Sequence, residues 1–185
     1  MVKKRVLTRE KVLATASDII DNEGLDALSI HNLAAALDVR PQSIYNYAKG
    51  LNDLVDQVGL EFVDEVSHRI TQKLVGVSGK EALRVFAHEF RDVSLQHSGL
   101  APLILNPNVL PKDSNTHQAL IELYRNLFNP LHLNDENLKI ESTLYRSALF
   151  GFILQETGDF FLLPSAELDD RFTKTMDLAI DQIEL

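Results

Sequence analysis

Apolar residues recur at helical spacing through most of this sequence. Near the start, Val12, Ala16 and Ile19 follow the i, i+4, i+7 pattern of one helix face. No stretch of useful length alternates apolar and polar residues, so no strand is predicted. The pattern therefore predicts an all-α fold of about nine helices.

Capping residues and helix breakers set the expected ends of these helices. Thr8 and Ser29 are suitable N-caps, Gly24 ends the first helix, and Pro41 suits the first turn of the third. The predicted helices span residues 9–23, 30–37, 41–47, 52–74, 80–97, 98–105, 114–129, 135–159 and 166–184.

Charge is distributed unevenly along the chain. The net charge is −9. Residues 1–50 hold seven cations and six acids, net +1, so residues 51–185 carry −9 minus +1, or −10. Only residues 1–50 could approach a polyanion without strong electrostatic repulsion. We therefore expect two domains, 1–50 and 51–185, joined through the fourth helix.

Composition argues against several classes of protein. The chain has no cysteine, which excludes disulfides, thiolate metal sites and a cysteine nucleophile. A positive N-terminus is not followed by the apolar run of a secretory signal, and no stretch approaches the ~18 apolar residues of a membrane span. We expect a cytoplasmic protein with no membrane partner.

The second and third predicted helices have the lengths and the turn of a helix-turn-helix. In that unit the second helix lies in the major groove of DNA. Gln42 and Asn46, four residues apart, would lie on one face and could bond to adenine, while Arg40 could read guanine or bind a phosphate. An alternative stays open for Tyr45 and Tyr47, which could simply pack with their hydroxyls in water.

The segments "EGLDALSI", "LAAALDV" and "SIYNYAKGLNDL" extend this pattern over residues 7–60. Together they resemble the DNA-binding domain of the TetR family of transcriptional regulators. The stretch "RSALFGFILQETGDFF" also resembles one subgroup of these regulators, whose last helices carry an aromatic-glycine-phenylalanine element. Two positions depart from the family: Asp38 replaces the usual glycine of the turn, and Leu51 replaces a lysine found in many members.

The resemblance implies a homodimer whose N-terminal domains occupy successive major grooves of a double-stranded, near-palindromic operator. Its C-terminal domains would bind a small effector that releases the DNA. The family pattern carries phosphate or base contact onto eight positions: Ser29, Arg40, Gln42, Ser43, Tyr45, Asn46, Tyr47 and Lys49.

The acidic half offers candidates for the effector pocket and for the dimer interface. Helix eight is too apolar all round to face water, so we expect helices eight and nine to pack on their copies. An apolar or amphipathic effector is favoured, although most of these residues could be ordinary core. The effector-binding candidates are Phe62, Phe86, Phe90, His97, Leu103, Tyr124, Phe152 and Gln155.

No catalytic residue, metal ligand or cofactor is predicted. The six histidines have no ligand spacing, and no glycine-rich phosphate loop is present. Glu156 and Asp159 are three residues apart, which suits a solvated or inter-subunit polar edge better than acid-base chemistry. The sequence thus predicts a ligand-responsive DNA-binding repressor. The alternative is an effector-free helical adaptor that binds proteins through helix eight.

Overall fold

The structure is a computed structural model, and it describes residues 7–184. This part of the chain contains α-helices and two short 3₁₀ helices, Leu25–Ala27 and Asn129–Leu131, and no strand. The prediction of an all-α fold is confirmed. The α-helices are α1 Arg9–Glu23, α2 Ile30–Ala36, α3 Pro41–Ile44, α4 Leu51–Lys73, α5 Gly79–Gln96, α6 Pro102–Leu105, α7 Asn115–Phe128, α8 Asp135–Thr157 and α9 Ser165–Asp181.

These helices divide into two compact units. The N-terminal unit contains the described residues up to 63 together with 97–118, and the C-terminal unit contains 64–96 and the described residues from 119 onward. Our predicted division into a domain 1–50 and a domain 51–185 concerns function rather than packing, and it stays a prediction.

Local signals placed the ends of α1 correctly. The Thr8 hydroxyl accepts a hydrogen bond from Lys11 N at 3.3 Å, which satisfies one of the free amides of the first turn. At the other end, Gly24 has φ 87° and its amide donates to Ile20 O. Such positive φ values favour glycine, so the helix ends there.

The core of the N-terminal unit is formed by aliphatic side chains from its first four helices. Leu13, Ile20, Leu33, Ile44 and Leu54 are all fully buried. They follow the apolar faces that the sequence pattern indicates, and they hold α2 and α3 against α1 and α4.

The segment after α5 differs from the prediction. We expected α5 to run to His97 and α6 to begin at Ser98, but α5 ends at Gln96 and α6 is only Pro102–Leu105. Proline has no amide hydrogen and suits the first turn of a helix, so α6 begins at Pro102 rather than before it. The residues between the two helices form a turn in which Leu100 N and Ala101 N both donate to His97 O.

This turn lies directly on the end of α1. His97 Nδ1 is 2.8 Å from Asp21 Oδ2, and Gly99 N donates to Asp21 Oδ1 at 3.2 Å. A Cβ on Gly99 would lie 2.6 Å from Asp21 Cα and closer still to the carbonyl oxygen of Ile20. Only glycine allows this approach between the two backbones.

In the C-terminal unit, α5, α8 and α9 pack around a buried ion pair. Arg91 donates to Glu156 from Nε at 2.7 Å and from Nη2 at 2.5 Å, and its Nη1 is 2.8 Å from Asp169 Oδ1. The Arg91 and Glu156 side chains are only 6% and 10% exposed. Our interpretation of Glu156 as part of a solvated or inter-subunit edge was therefore wrong, because its partner lies 65 residues earlier in the chain and periodicity cannot reveal it.

The last two helices end earlier than predicted. α8 stops at Thr157, since Gly158 caps it and Asp159 has a left-handed φ of 54°. α9 ends at Asp181, although Ile183 beyond it remains buried. The apolar stripe of α9 therefore extends past the helix itself.

Candidate functional site

The turn between α2 and α3 is a Schellman-type helix end. Asp38 N donates to Ala35 O and Val39 N donates to Ala34 O, while Asp38 has φ 54°. The sequence placed an aspartate where the resembled family has glycine, and aspartate enters the left-handed region more readily than most residues do. The turn keeps its geometry with Asp38 in place of glycine.

The third helix is shorter than predicted. α3 ends at Ile44, and the residues up to Lys49 form turns. Our statement that Gln42 and Asn46 share one face of a helix is therefore wrong, because Asn46 lies beyond its end. Side chains from α4 bind the backbone of the residues that follow α3.

Two residues of α4 hold this segment. Asp53 Oδ2 accepts from Lys49 N at 2.7 Å, and Gln57 Nε2 donates to Tyr47 O at 3.0 Å and to Asp53 Oδ2 at 3.1 Å. Gln57 Oε1 in turn accepts from Arg9 Nε at 3.1 Å. Sequence reasoning missed both residues, although polar side chains four apart near the start of α4 are the signal that could have indicated them.

The eight DNA-binding candidates divide by what their side chains contact. The Ser29 hydroxyl caps α2 by accepting from Asn32 N at 3.0 Å, and the Tyr47 hydroxyl donates to Leu7 O at 2.7 Å. The remaining six form no side-chain hydrogen bond or ion pair with any residue in 7–184, and all but Ser43 are exposed: Arg40, Gln42, Ser43, Tyr45, Asn46 and Lys49.

The segment from Arg40 to Lys49 is polar and weakly cationic, and its backbone is anchored to the core of the N-terminal unit. Ile44 is fully buried and Ala48 is 3% exposed, so the backbone is fixed to the core at two points. Tyr45 in contrast is 57% exposed. Amides, hydroxyls and two cations on a fixed backbone can bond both to base edges and to phosphates.

The C-terminal unit contains an aromatic cluster around Tyr124. Its ring centroid is 5.2 Å from that of Phe86, 6.2 Å from that of Phe90 and 5.8 Å from that of Phe150. Three of the effector-binding candidates, Phe86, Phe90 and Tyr124, therefore lie together.

The Tyr124 hydroxyl is buried and has no hydrogen-bond partner in the described part of the chain. Burial raises the pKa of this phenol well above its ordinary value, and the neighbouring Tyr145 adds to the effect. Tyr145 is also fully buried, but its hydroxyl donates to Leu83 O at 2.7 Å. A buried hydroxyl without a partner is unfavourable, so Tyr124 is the group here that a ligand could satisfy.

Two small cavities and one open groove lie beside this cluster. The groove has a volume of about 330 Å³ and is lined by Thr143, Arg146, Ser147 and Phe150. One cavity has a volume of about 170 Å³ and is lined by Tyr124, Phe128 and Arg146 among others. The other has a volume of about 220 Å³ and is lined by residues that include Phe86 and Leu123. These two cavities are smaller than the usual range for drug-sized ligands, so a ligand bound within either of them would have to enlarge it.

The other five effector-binding candidates lie elsewhere. Phe62 and His97 are in ring contact at 5.9 Å in the N-terminal unit, where Leu103 is also buried. Phe152 packs on Phe161 and Phe172. The last of the five, Gln155, is exposed and donates to Gly151 O at 2.9 Å.

Two further kinds of feature are absent from residues 7–184. No cluster of histidine or acidic residues there has the geometry to hold a metal ion. No helix in that range is both long enough and apolar enough to cross a membrane. Three of the cations counted in residues 1–50 lie outside the described residues: Lys3, Lys4 and Arg5.

Comparison with known proteins gives the class of this fold. No family model matches the chain. It is similar to BioQ of Mycobacterium smegmatis, with a TM-score of 0.73 and 20% identity over 95% of this chain and 97% of that one. It is also similar to a TetR variant from Acinetobacter baumannii in complex with minocycline, with a TM-score of 0.72 and 16% identity over 95% and 96%. The fold is that of the TetR-family regulators, as the sequence resemblance implied.

Sequence relatives agree with this class. A helix-turn-helix transcriptional regulator of Mycobacterium tuberculosis is 30% identical over 93 residues, which are 50% of this chain and 43% of the relative. A helix-turn-helix transcriptional repressor of Streptomyces coeruleorubidus is 29% identical over 137 residues, 73% of this chain and 48% of the relative. The matched part of the chain spans about half the length of these relatives. They support a DNA-binding regulator.

Proposed function

We propose that this protein is a dimeric transcriptional repressor that binds a near-palindromic operator and is released by a small apolar or amphipathic effector. Residues 1–50 would bind DNA, and residues 51–185 would bind the effector and form the dimer in the cytoplasm. The single observation that carries the proposal is the rigid segment from Arg40 to Lys49, on which six polar side chains have no partner within the described chain.

The DNA-binding part divides into base reading and phosphate binding. Gln42 lies on α3 itself and is exposed, so it is suited to an adenine edge, where a bidentate contact contributes about 1–3 kcal/mol. Lys49 and Tyr45 are suited to phosphates, which position the protein without reading sequence.

The first experiment is selection of the purified protein on a random duplex library at near-physiological salt. An enriched inverted repeat would support both DNA reading and two-fold symmetry, with half-sites about 34–36 Å apart or at a related spacing. A folded protein that enriches no sequence would contradict the proposal and favour the alternative of a helical adaptor, which predicts no salt-dependent DNA binding.

Variants then separate the two kinds of contact on the selected operator. Gln42→Ala should weaken specific binding more than nonspecific binding, whereas Lys49→Ala should weaken both and reduce the salt slope by about 1. Gln118→Ala, which removes an exposed glutamine of α7, is the matched control and should change neither. Unchanged specific affinity in Gln42→Ala and Tyr45→Ala would contradict the assignment of this segment.

For the dimer, we propose the exposed apolar face of α8 and α9. Ile140 is 61% exposed, Leu144 45% and Leu154 41% along α8, and Leu178 of α9 is 71% exposed. Gly151 lies within the same stretch of α8, and a Cβ there would meet no atom within 4 Å. Such a face is unusual on a monomer and suits close packing of two helices.

Sedimentation measurements test this interface. Leu144→Arg should give monomers, because it would bury an unpaired charge in the interface. Arg125→Leu, at an exposed position of α7, is a control that should leave the dimer intact. A wild-type protein that sediments as a monomer at all concentrations would contradict the proposed dimer. It would not contradict DNA binding by residues 1–50 of a single protomer.

For the effector, we propose that the Tyr124 hydroxyl is its polar contact within the aromatic cluster. Tyr124→Phe should stabilise the free protein by about 1 kcal/mol or more, since it removes an unsatisfied buried hydroxyl. It should also weaken any effector that bonds to that hydroxyl.

A thermal-shift screen of aromatic amphiphiles, with minocycline among them, would supply the ligands for this test. Tyr145→Phe is the matched control: it removes a hydroxyl that already has a partner, so it should destabilise the protein and leave ligand selectivity unchanged. Ligands that shift the wild type and Tyr124→Phe equally would place the effector elsewhere.

A further inference from the structure

A cavity of about 560 Å³ lies in the N-terminal unit and contains none of the residues assigned above to DNA or effector. Its walls come from the 3₁₀ helix that follows α1, from the first turns of α4 and from the loop between α6 and α7. Its volume is within the ~300–1,000 Å³ of typical small-molecule sites. The cavity is therefore large enough for a ligand without rearrangement.

The loop that forms one wall of this cavity leads into α7, whose first two residues are bound to α4. Asp56 Oδ2 accepts from Asn115 N at 3.1 Å, and Asp56 Oδ1 accepts from Thr116 N at 2.9 Å and from Thr116 Oγ1 at 2.7 Å. A Cβ on Gly59 would lie 2.6 Å from Thr116 Oγ1 and 3.3 Å from Leu110 Cδ1. This close packing holds Leu110 in the wall, so the cavity is preformed.

The lining residues are mostly apolar, although polar and apolar atoms contribute about equally to the surface that faces the cavity. Seven of the ten lining residues are Leu, Val or Pro, and the other three are Asp26, Asn52 and Asn108. None of these three side chains forms a hydrogen bond or ion pair with another residue in 7–184. Their bonding capacity is open to a ligand.

Asp26 is the one charged residue of this lining, and no lysine or arginine is among the ten. Leu51, with 38% exposure, contributes an apolar wall at the start of α4. A ligand that complements this surface has an apolar body and a single positive charge, with that charge near the Asp26 carboxylate. An anionic ligand would meet an unmatched carboxylate and no cation.

We propose that this cavity binds a small amphipathic organic cation, with its ammonium group against Asp26 and its apolar body between Leu51, Val55 and Val109. The two asparagine side chains provide hydrogen bonds beside the charged group. The proposal does not rest on DNA binding or on the effector, and its test needs neither.

The test compares three probes that share one alkyl chain: octyltrimethylammonium, octanol and octanoate. Each is titrated below its micelle concentration into protein with labelled leucine and valine methyl groups, and methyl NMR shifts are followed. We expect the cation to shift the methyl signals of Leu51, Val55 and Val109 and to bind about fivefold tighter than the alcohol, since a partly exposed ion pair adds only modestly. Octanoate should bind weakest.

Two variants locate the site. Asp26→Asn should abolish the preference of the cation over octanol, and Val109→Trp should fill the cavity and remove binding of all three probes. Asp113→Asn, an exposed carboxylate in the same loop that does not line the cavity, should retain the preference. Because Asp26 is exposed and has no partner among residues 7–184, Asp26→Asn should fold normally even if Val109→Trp does not.

Any of three results would overturn the proposal. The first is a cation that binds no tighter than octanol to the wild type. The second is a preference that persists in Asp26→Asn. The third is a set of shifted methyl signals confined to other residues, such as Leu123 beside the 220 Å³ cavity.

Discussion

The C-terminal unit and the segment from Arg40 to Lys49 use their polar side chains in opposite ways. In the C-terminal unit, Arg91 is buried and bonded to two carboxylates, and Arg84 is bonded to Asp177 and Asp181 across α5 and α9. In the segment from Arg40 to Lys49 of the N-terminal unit, six polar side chains have no partner in the described chain. Breaking an internal ion pair destabilises the fold, whereas polar side chains without an internal partner are available for an external one.

The largest effect on stability should come from the buried pair. Arg91→Met removes the cation that neutralises Glu156, and breaking such a pair destabilises a protein by about 3–5 kcal/mol because a buried charge remains. Urea unfolding of the variant measures this loss.

A surface pair provides the control for this prediction. Lys174 and Asp170 form an exposed i, i+4 pair at 2.7 Å, and Lys174→Met should cost no more than about 0.5 kcal/mol. Equal losses of unfolding free energy in Arg91→Met and Lys174→Met would mean that the buried pair matters no more to stability than an exposed pair does.

The second largest effect should come from the turn on α1. Gly99→Ala would force a Cβ into the backbone at Ile20 and Asp21, which should cost about 1–3 kcal/mol. Gly50→Ala is the matched control, because a Cβ there meets no atom within 4 Å. Thermal unfolding compares the two, and a tolerated Gly99→Ala would show that the turn does not lie against α1 in solution.

A third, smaller effect should be pH-dependent and should involve Asp56. Burial alone would raise the pKa of this carboxyl, but hydrogen bonds from Thr116 and Asn115 outweigh it, so the pKa lies below its ordinary value. A carboxyl whose pKa is lower in the folded state contributes stability above its unfolded pKa. That contribution is lost as the pH falls through the folded value.

Asp56→Ala should therefore cost about 1 kcal/mol at neutral pH, the usual cost of a lost helix cap, and less in acid. Unfolding measured from neutral to acidic pH should give converging curves for the variant and the wild type. A loss that stays constant down to strongly acidic pH would mean that the hydrogen bonds do not depend on the charge of Asp56.

Whether the sequence predicts an interaction in this molecule depends on how far apart the two residues are along the chain. The ends of α1 and the start of α2 follow from Thr8, Gly24 and Ser29, whose effects act within four residues. The pairing of Asp21 with His97 joins residues 76 apart, and that of Arg91 with Glu156 joins residues 65 apart. Periodicity indicates which face of a helix is buried but not which partner it meets.

The candidate DNA-binding segment was only partly predictable for the same reason, because sequence patterns do not reveal contacts between separate elements. The open side chains were found because residue type alone suggests contact with DNA. The side chains that position them, Asp53 and Gln57, were missed because their role depends on where the chain after α3 returns to α4.

The smallest effect on stability should come from the open segment itself. Gln42→Ala and Asn46→Ala remove exposed side chains that form no hydrogen bond or ion pair with a described residue, so each should change the free energy of unfolding by no more than about 0.5 kcal/mol. If their only role is to contact DNA, the same variants should lose specific operator affinity while remaining as stable as the wild type. Measuring both quantities on each variant separates the two roles: a loss of stability above about 1 kcal/mol would mean that the segment supports the fold, and the contrast with the paired charges around Arg91 would then fail.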